Sequence, residues 1–228
     1  MAELCAIVGE SGSGKSTSIR TLDPKSTFII NVASTPLPFK GAKKNYTPLK
    51  KEGEQWVGNL YNTADPKKIL QVLNVVDKLR PDIKVVILED CQYIMAFEAM
   101  DRSTEKGYEK FSQMAANFYS VLKKAIDLRD DLKIFVLTHS ENVGDVLNPK
   151  NKIKTVGKML DSLITIEGLF TYVFFTSIVR DDDGKAQYKL ITQSDGTTTA
   201  KTPLGCFEDL LIDNDLKYIC DKIDEYNE

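Results

Sequence analysis

The sequence lacks any apolar run long enough to cross a membrane. A membrane-spanning helix needs about 20 consecutive apolar residues, and no run in the 228 residues approaches that length. The N-terminus shows no basic region, apolar stretch and cleavage site of the kind that marks a secretory signal. We therefore expect a cytoplasmic protein that does not associate with membranes.

Cysteine is also scarce, and its spacing is uninformative for chemistry. The chain has 4 cysteines, Cys5, Cys91, Cys206 and Cys220, and none belongs to a C-x-x-C pair. Cys5 and Cys91 lie in apolar runs that are typical of strands. We expect buried, reduced thiols in a reducing compartment.

A strong charge of one sign is missing as well. Lysine and arginine number 30 and aspartate and glutamate 33, which gives a net charge of −3. This mildly acidic balance predicts no general affinity for nucleic acid. Any nucleic-acid binding must therefore come from local loops.

What is present is an alternation of apolar strand patterns and amphipathic helix patterns. With 42% hydrophobic residues, this alternation predicts one α/β domain over residues 1–228, built on a mostly parallel sheet that helices cover. A C-terminal β-hairpin and a terminal helix complete the prediction. The predicted strands span residues 4–8, 27–33, 56–61, 84–88 and 132–138, the hairpin 172–179 and 187–192, and the helices 66–80, 108–128 and 214–226.

The clearest motif is a complete G-x-x-x-x-G-K-[ST] phosphate-binding loop, which lies between the first strand and a helix-compatible run at 17–22. Its glycines allow a tight turn that aims backbone N–H groups at an anion. Lys15 would reach the β- and γ-phosphates of ATP, Ser16 would bind Mg²⁺, and Thr17 would contact the α-phosphate. The alternative is a turn that binds nothing. The predicted nucleotide contacts are Gly9, Glu10, Ser11, Gly12, Ser13, Gly14, Lys15, Ser16 and Thr17.

An acidic strand end supplies the second requirement of such a site, a carboxylate on the metal side. The apolar run 84–88 ends in Glu89 and Asp90, and two registers are possible. Either Asp90 faces the metal with Glu89 behind it, or Glu89 faces the metal and Asp90 polarises the attacking water. A solvated, charged strand end remains the alternative to both.

Two single residues are further catalytic candidates. His139, the only histidine, follows the strand that ends at Thr138, and strand ends in parallel sheets face the ligand crevice. Either Thr138 or His139 would sense the γ-phosphate or orient the attacking water, although a lone histidine more often has a structural role. Lys201, in a polar stretch after the hairpin, would reach the phosphates of a neighbouring subunit as arginine fingers do; a solvated loop lysine is the simpler interpretation.

Two long loops carry lysines and are candidates for DNA binding. The first, 36–56, places Lys43 and Lys44 among the aromatic residues Phe39, Tyr46 and Trp56, and aromatic side chains can stack on bases while lysines follow phosphates. The second loop leaves the sheet next to His139 and could couple nucleotide state to DNA binding. Solvated surface lysines are the alternative in both loops. The lysines of the second loop are Lys150, Lys152, Lys154 and Lys158.

Taken together, the loop 9–17, the strand 85–90, the Thr138-His139 strand end and the late 200–202 run resemble the phage RecA-like AAA ATPases. That group includes core-only, Sak-type single-strand annealing proteins, and the resemblance covers about residues 2–205. It implies an ATP- and Mg²⁺-dependent protein that binds single-stranded DNA and promotes annealing or recombination in the host cytoplasm. It also implies self-assembly into a ring or filament, with a single-strand-binding protein as a possible further partner.

The resemblance also bears on single residues. It favours Asp90 as the metal-side acid, because Cys91 then stands where RecA-like sequences usually carry a small polar residue. By the same comparison, residues 140–158 correspond to a DNA-binding loop, and Lys201 lies near the cations that act between subunits. One departure is that RecA-like proteins usually end the second strand with a water-activating glutamate. This chain has no carboxylate in Asn31-Val32-Ala33-Ser34, so ATP hydrolysis relies on Glu89 or Asp90, or is weak.

Two alternative functions remain open. A nucleotide-gated accessory protein, such as a helicase loader or packaging factor, would not need the missing glutamate. A small-molecule or nucleotide kinase would have the same loop, but such kinases usually gather arginines around two phosphorylated substrates. The arginines of this chain are scattered: Arg20, Arg80, Arg102, Arg129 and Arg180.

Overall fold

The structure is a computed structural model that describes residues 1–145, 147–156, 160 and 164–228. Its centre is an eight-stranded sheet with the order β12-β11-β10-β1-β7-β6-β2-β5. The strands of this sheet are β1 (Glu3–Val8), β2 (Thr27–Asn31), β5 (Leu60–Asn62), β6 (Val85–Glu89), β7 (Lys133–Thr138), β10 (Tyr172–Arg180), β11 (Ala186–Ile191) and β12 (Leu211–Asp213). Two small hairpins lie outside it, formed by β3 (Lys50–Glu52) with β4 (Gln55–Val57) and by β8 (Ser140–Asn142) with β9 (Asn151–Ile153).

Six of the eight strands, from β10 to β5 in the sheet order, run parallel to their neighbours. β11 and β12 extend the β10 edge in antiparallel fashion. The residues of β2 and β6 are all buried, as expected for parallel strands with both faces covered. The predicted α/β class with a mostly parallel sheet is therefore confirmed, and the arrangement is compatible with a RecA-like fold.

The helices cover the two faces of the sheet. Those that lie wholly within the described ranges are α1 (Ala42–Asn45), α2 (Pro66–Leu79), α3 (Tyr93–Asp101), α4 (Glu109–Ile126) and α5 (Leu216–Asn227). On one face, α2 and α4 bury apolar side chains such as Leu73 and Phe118 against the strands. On the other face, α5 contributes Ile219 and Ile223 to a second apolar cluster. Alternate residues of β1 point into the two clusters, which explains why the strand is continuously apolar.

Local chemistry fixes the beginnings of the two clearest helices. Asp65 accepts a hydrogen bond from the Lys67 N–H at 2.9 Å and Pro66 follows it, so α2 begins with a side-chain cap and a proline in its first turn. Asp215 caps α5 by accepting from the Tyr218 N–H at 3.0 Å. Within the described part of the chain, no helix is both long and apolar enough to span a membrane.

The structure departs from the sequence-based expectations mainly in the two long loops. The strand predicted at 56–61 is divided between β4 and β5, with only β5 joining the main sheet. The second loop contains the β8–β9 hairpin rather than irregular chain alone. The helix predicted after the glycine-rich motif is a short 3-10 helix, Ser16–Thr21. Short pairings of this kind depend on tertiary contacts more than on sequence periodicity.

Candidate functional site at the carboxyl edge of the sheet

The glycine-rich loop, Gly9–Ser16, follows β1 at the carboxyl edge of the parallel strands. Its first glycine is required by space, because a Cβ atom on Gly9 would lie 1.8 Å from Thr176 Oγ1. Gly12 and Gly14 have φ angles of 79° and 94°, in the left-handed region that glycine adopts at low cost. The loop conformation thus depends on glycine at all three positions.

The loop presents unpaired backbone donors beside a buried cation. Among the described residues, the N–H groups of Gly12, Gly14 and Lys15 have no hydrogen-bond acceptor. Lys15 is only 5% exposed. Its ammonium group donates to the carbonyl oxygens of Gly9 at 2.9 Å and Glu10 at 2.8 Å. Free N–H groups that converge in a tight loop can bind an anion, and Lys15 supplies a compensating charge.

The acidic strand end predicted from the sequence lies beside this loop. The Ser16 hydroxyl donates a hydrogen bond to Glu89 Oε1, the last residue of β6. The other carboxylate oxygen, Glu89 Oε2, is buried without a hydrogen-bond partner in the described structure. The unpaired carboxylate oxygen and the neighbouring hydroxyl oxygen are two ligands of the kind that a hard cation binds.

Asp90 points to a different neighbour. Its Oδ1 lies 3.7 Å from Nε2 of His139, so the acid and the only histidine form a pair across the ends of β6 and β7. Asp90 has a φ angle of 56°, an uncommon conformation for a non-glycine residue that is found preferentially at functional sites. Thr138 does not join this pair, because its hydroxyl is buried and lies 3.3 Å from Gln92 Oε1.

Burial sets the ionisation of the two central groups. Desolvation raises the pKa of the Glu89 carboxyl to about 7, and the nearby Asp90 charge acts in the same direction. The Ser16 hydrogen bond and the Lys15 charge oppose this shift. Desolvation lowers the pKa of Lys15, while Asp90, Glu89 and Glu10 act against that change. Burial therefore outweighs the attraction between the two groups, and it disfavours the charged form of each.

Lys15, Ser16 and Asp90 border a cavity of about 650 Å³, a size that suits a small-molecule ligand. His139, Asp90 and Tyr93 line one side, together with Thr35 and Pro38. Tyr188, Asn214 and Arg20 line the other side. The glycine-rich loop lies between the two walls because β1 is flanked by β7 and β10 in the sheet.

The oxygen atoms beside the glycine-rich loop are few, which limits the kind of metal site they can form. No cluster of three or more His, Cys, Asp or Glu side chains suited to a metal occurs in the described ranges. A cation that takes most of its ligands from phosphates and water needs only one or two protein oxygens. The Ser16 hydroxyl and the unpaired Glu89 oxygen meet that smaller requirement, so the residues fit Mg²⁺ bound together with a phosphate ligand.

β2 ends in Asn31, at the position where RecA-like proteins usually carry a water-activating glutamate. Asn31 is 3% exposed and pairs in register with Glu89. Its Nδ2 donates to the Thr35 carbonyl at 2.7 Å, and its Oδ1 has no partner in the described structure. Asn31 therefore shapes the turn that carries Thr35 towards the cavity and adds no carboxylate.

The second lysine loop is attached to both the candidate site and the C-terminal segment. The Lys154 N–H donates to the His139 carbonyl at 2.8 Å, and the Asn151 N–H donates to the Thr197 carbonyl at 2.7 Å. Lys152 lies 3.1 Å from Glu141 across the β8–β9 hairpin, whereas Lys150 and Lys154 are exposed. Lys158 lies outside the described residues. DNA binding by this loop stays a prediction.

The structure supports only part of the argument for DNA binding by the first lysine loop. Lys43 and Lys44 lie on α1 and are exposed, as a phosphate contact would require. Tyr46 is only 3% exposed and packs edge-on with Phe39 at a ring separation of 6.2 Å. The interpretation of Tyr46 as a base-stacking residue was therefore wrong, because its aromatic character serves the core.

Lys201 is part of the sheet's periphery and not of the cavity wall. Its N–H donates to the Val173 carbonyl at 2.9 Å and its carbonyl accepts from the Val173 N–H at 2.8 Å. The lysine is absent from the cavity lining as the described residues define it. A role between subunits stays a prediction.

Sequence reasoning missed the wall formed by Arg20, Tyr188 and Asn214. The hairpin was predicted, but nothing in its alternating pattern marks Tyr188 as a cavity residue. Asn214 lies in the turn between β12 and α5, and β12 was not predicted. Only the three-dimensional pairing of β10, β11 and β12 brings Tyr188 and Asn214 to the loop.

Comparisons with known proteins add no identification: the chain matches no protein-family model and no curated protein.

Proposed function

We propose that the chain binds ATP with Mg²⁺ at the glycine-rich loop and works as a RecA-like ATPase on single-stranded DNA. The observation that carries the proposal is the contact between Ser16 and Glu89 beside the unpaired N–H groups of the loop. It joins the two halves of a nucleotide site that lie 73 positions apart in the chain. The strand order supports the same class, since β7 separates β1 from β6 in a largely parallel sheet.

We assign the metal-side role to Glu89. Its Oε1 already accepts from the Ser16 hydroxyl, and its Oε2 is unpaired within the described structure. Asp90 instead lies beside His139, with 3.7 Å between Oδ1 and Nε2. This assignment favours the second register, in which Glu89 faces Mg²⁺. Bound Mg²⁺ would neutralise phosphate charge and favour attack at the γ-phosphate.

Asp90 and His139 are then the groups placed to handle the attacking water. His139 lies within 3.7 Å of Asp90 and both border the cavity. A carboxylate paired with an imidazole can accept and hold a proton from water. Because β2 offers Asn31 and no carboxylate, this pair is the proton acceptor that the described residues supply. Slow hydrolysis is the expected consequence of using it.

The test begins with nucleotide binding, measured by calorimetry with ATP and Mg²⁺. Lys15→Ala should weaken ATP binding about 10- to 100-fold, because a charge-assisted hydrogen bond contributes about 1.5–3 kcal/mol. Lys68→Ala, on the exposed side of α2, is the matched control and should bind as the wild type does. Equal affinity of wild type and Lys15→Ala would refute the nucleotide site.

The DNA part needs its own measurement. ATP turnover and assembly should both rise when single-stranded DNA is added, as followed by phosphate release and size-exclusion chromatography. A variant with Lys150→Ala and Lys154→Ala should bind DNA more weakly and with a flatter salt dependence. Unchanged salt dependence would remove this loop from the DNA site.

The second candidate is an accessory protein that uses ATP as a binding switch. The observation that favours it is the uncharged end of β2, where Asn31 replaces a carboxylate. Such a protein would bind ATP and change its assembly state with almost no turnover. Measured turnover that DNA stimulates would exclude it, whereas phosphate transfer to a nucleoside monophosphate would identify a kinase.

A further inference from the structure

The antiparallel edge of the sheet forms a wall beside the glycine-rich loop, opposite the acids. β1 has β7 on one side and β10 on the other, and β11 pairs with β10. His139 follows β7, while Tyr188 lies on β11. The two side chains therefore border the same cavity from opposite sides of the loop.

This wall is attached to the loop by specific hydrogen bonds. The Asn214 side chain donates through Nδ2 to the Gly14 carbonyl at 2.8 Å. The Arg20 guanidinium donates to the Thr17 carbonyl at 2.9 Å and to the Asn214 carbonyl at 3.2 Å. The turn between β12 and α5 is thus fixed to the loop, and movement of one must involve the other.

Tyr188 is the aromatic group that this wall offers to a ligand. Its side chain belongs to a residue that is 45% exposed, and it lines the cavity. The ring lies close to the loop, since a Cβ atom on Gly14 would be 3.0 Å from Tyr188 Cδ1. An accessible ring at the border of a polar cavity is suited to stacking against a planar ligand.

The direction of a bound triphosphate follows from the groups already placed. The acids and His139 mark the γ-phosphate end, and Lys15 serves the β- and γ-phosphates. Arg20 donates to the carbonyls of both Thr17 and Asn214, and the Asn214 N–H donates to the Tyr188 carbonyl at 3.3 Å, so these residues lie on the side that carries Tyr188. The nucleoside must leave the phosphates on the side away from the acids, which is the side of Tyr188.

We propose that Tyr188 is the surface on which the nucleobase of the bound triphosphate stacks. This inference rests on the proposed nucleotide binding. It assigns the C-terminal strands a part in the recognition of ATP, and it distinguishes a nucleoside triphosphate from a bare chain of phosphates.

The experiment compares ATP with inorganic tripolyphosphate, which has the phosphates and no base. Tyr188→Ala should weaken ATP binding about 5- to 150-fold, because it removes the ring on which the base stacks, and it should leave the tripolyphosphate affinity unchanged. Tyr188→Phe should bind ATP as the wild type does, because it keeps the ring. Tyr226→Ala, at a tyrosine of similar exposure (46%) on α5, is the matched control.

Each outcome decides a different point. Unchanged ATP affinity in Tyr188→Ala overturns the stacking role while the nucleotide site itself stands. An equal loss for both ligands shows that Tyr188 acts through the loop and also overturns the role. If the wild type binds neither ligand, the proposed function fails with it. Thermal melts of all variants identify any loss that comes from unfolding.

Discussion

The nucleotide-free protein should lose stability as the pH rises through the range in which Glu89 ionises. Its pKa is raised from 4.5 to about 7 by burial, so the folded state binds this proton more tightly than the unfolded state does. The contribution to stability is therefore greatest below pH 4.5 and decreases up to about pH 7. A difference of 2.5 pKa units (7 − 4.5) corresponds to about 3 kcal/mol.

The measurement is urea unfolding in EDTA at pH values from 5 to 8, with wild type and Glu89→Gln side by side. Glutamine cannot ionise, so the difference between the two proteins isolates the Glu89 carboxyl from all other titrating groups. Glu89→Gln should gain on the wild type by about 1 kcal/mol for each pH unit up to pH 7. A difference that stays constant over this range would refute the buried, charge-disfavouring environment that the structure gives Glu89.

Two further predictions concern the packing around the same loop. Gly9→Ala should destabilise the protein by about 1–3 kcal/mol through overpacking. Adding Thr176→Ala should restore part of that loss, because it removes the oxygen that would lie 1.8 Å from the new Cβ. Additive losses of the two variants in urea unfolding would contradict the contact. The 4 buried cysteines should react with a thiol reagent only after unfolding, because burial raises the pKa of Cys91 and of Cys220 to about 12; rapid labelling of the native protein would contradict their burial.

The sequence predicted the parts of the structure that depend on local patterns. The strand at 84–88 and the helix at 66–80 were recognised because their apolar spacing reflects which faces are buried. The observed β6 is shifted by one residue, and α2 begins as predicted and ends one residue earlier. The glycine-rich loop was visible because its conformation requires glycine at fixed positions. Each of these signals lies within about 15 consecutive residues.

The missed features depend on contacts between distant segments. The choice between Glu89 and Asp90 rests on which carboxyl group meets Ser16, 73 positions earlier than Glu89, and no local pattern encodes that distance. Tyr46 was assigned to a ligand because aromatic residues near lysines fit nucleic-acid binding, but its ring packs in a core cluster. Tyr188 was not predicted to face a ligand, because only the order of strands in the sheet places it beside the loop.

The arrangement of the acids also explains how a site without a carboxylate on β2 could still cleave ATP. Glu89 and Asp90 are adjacent in sequence, yet Glu89 ends a strand while Asp90 adopts a left-handed backbone conformation with a φ of 56°. That turn separates the two side chains, so Glu89 meets Ser16 while Asp90 meets His139. Two adjacent carboxylates thereby reach different partners from one strand end. If both carboxylates bound the metal, His139 would be the only proton acceptor left among the described residues that line the site. Turnover would then depend on that histidine alone.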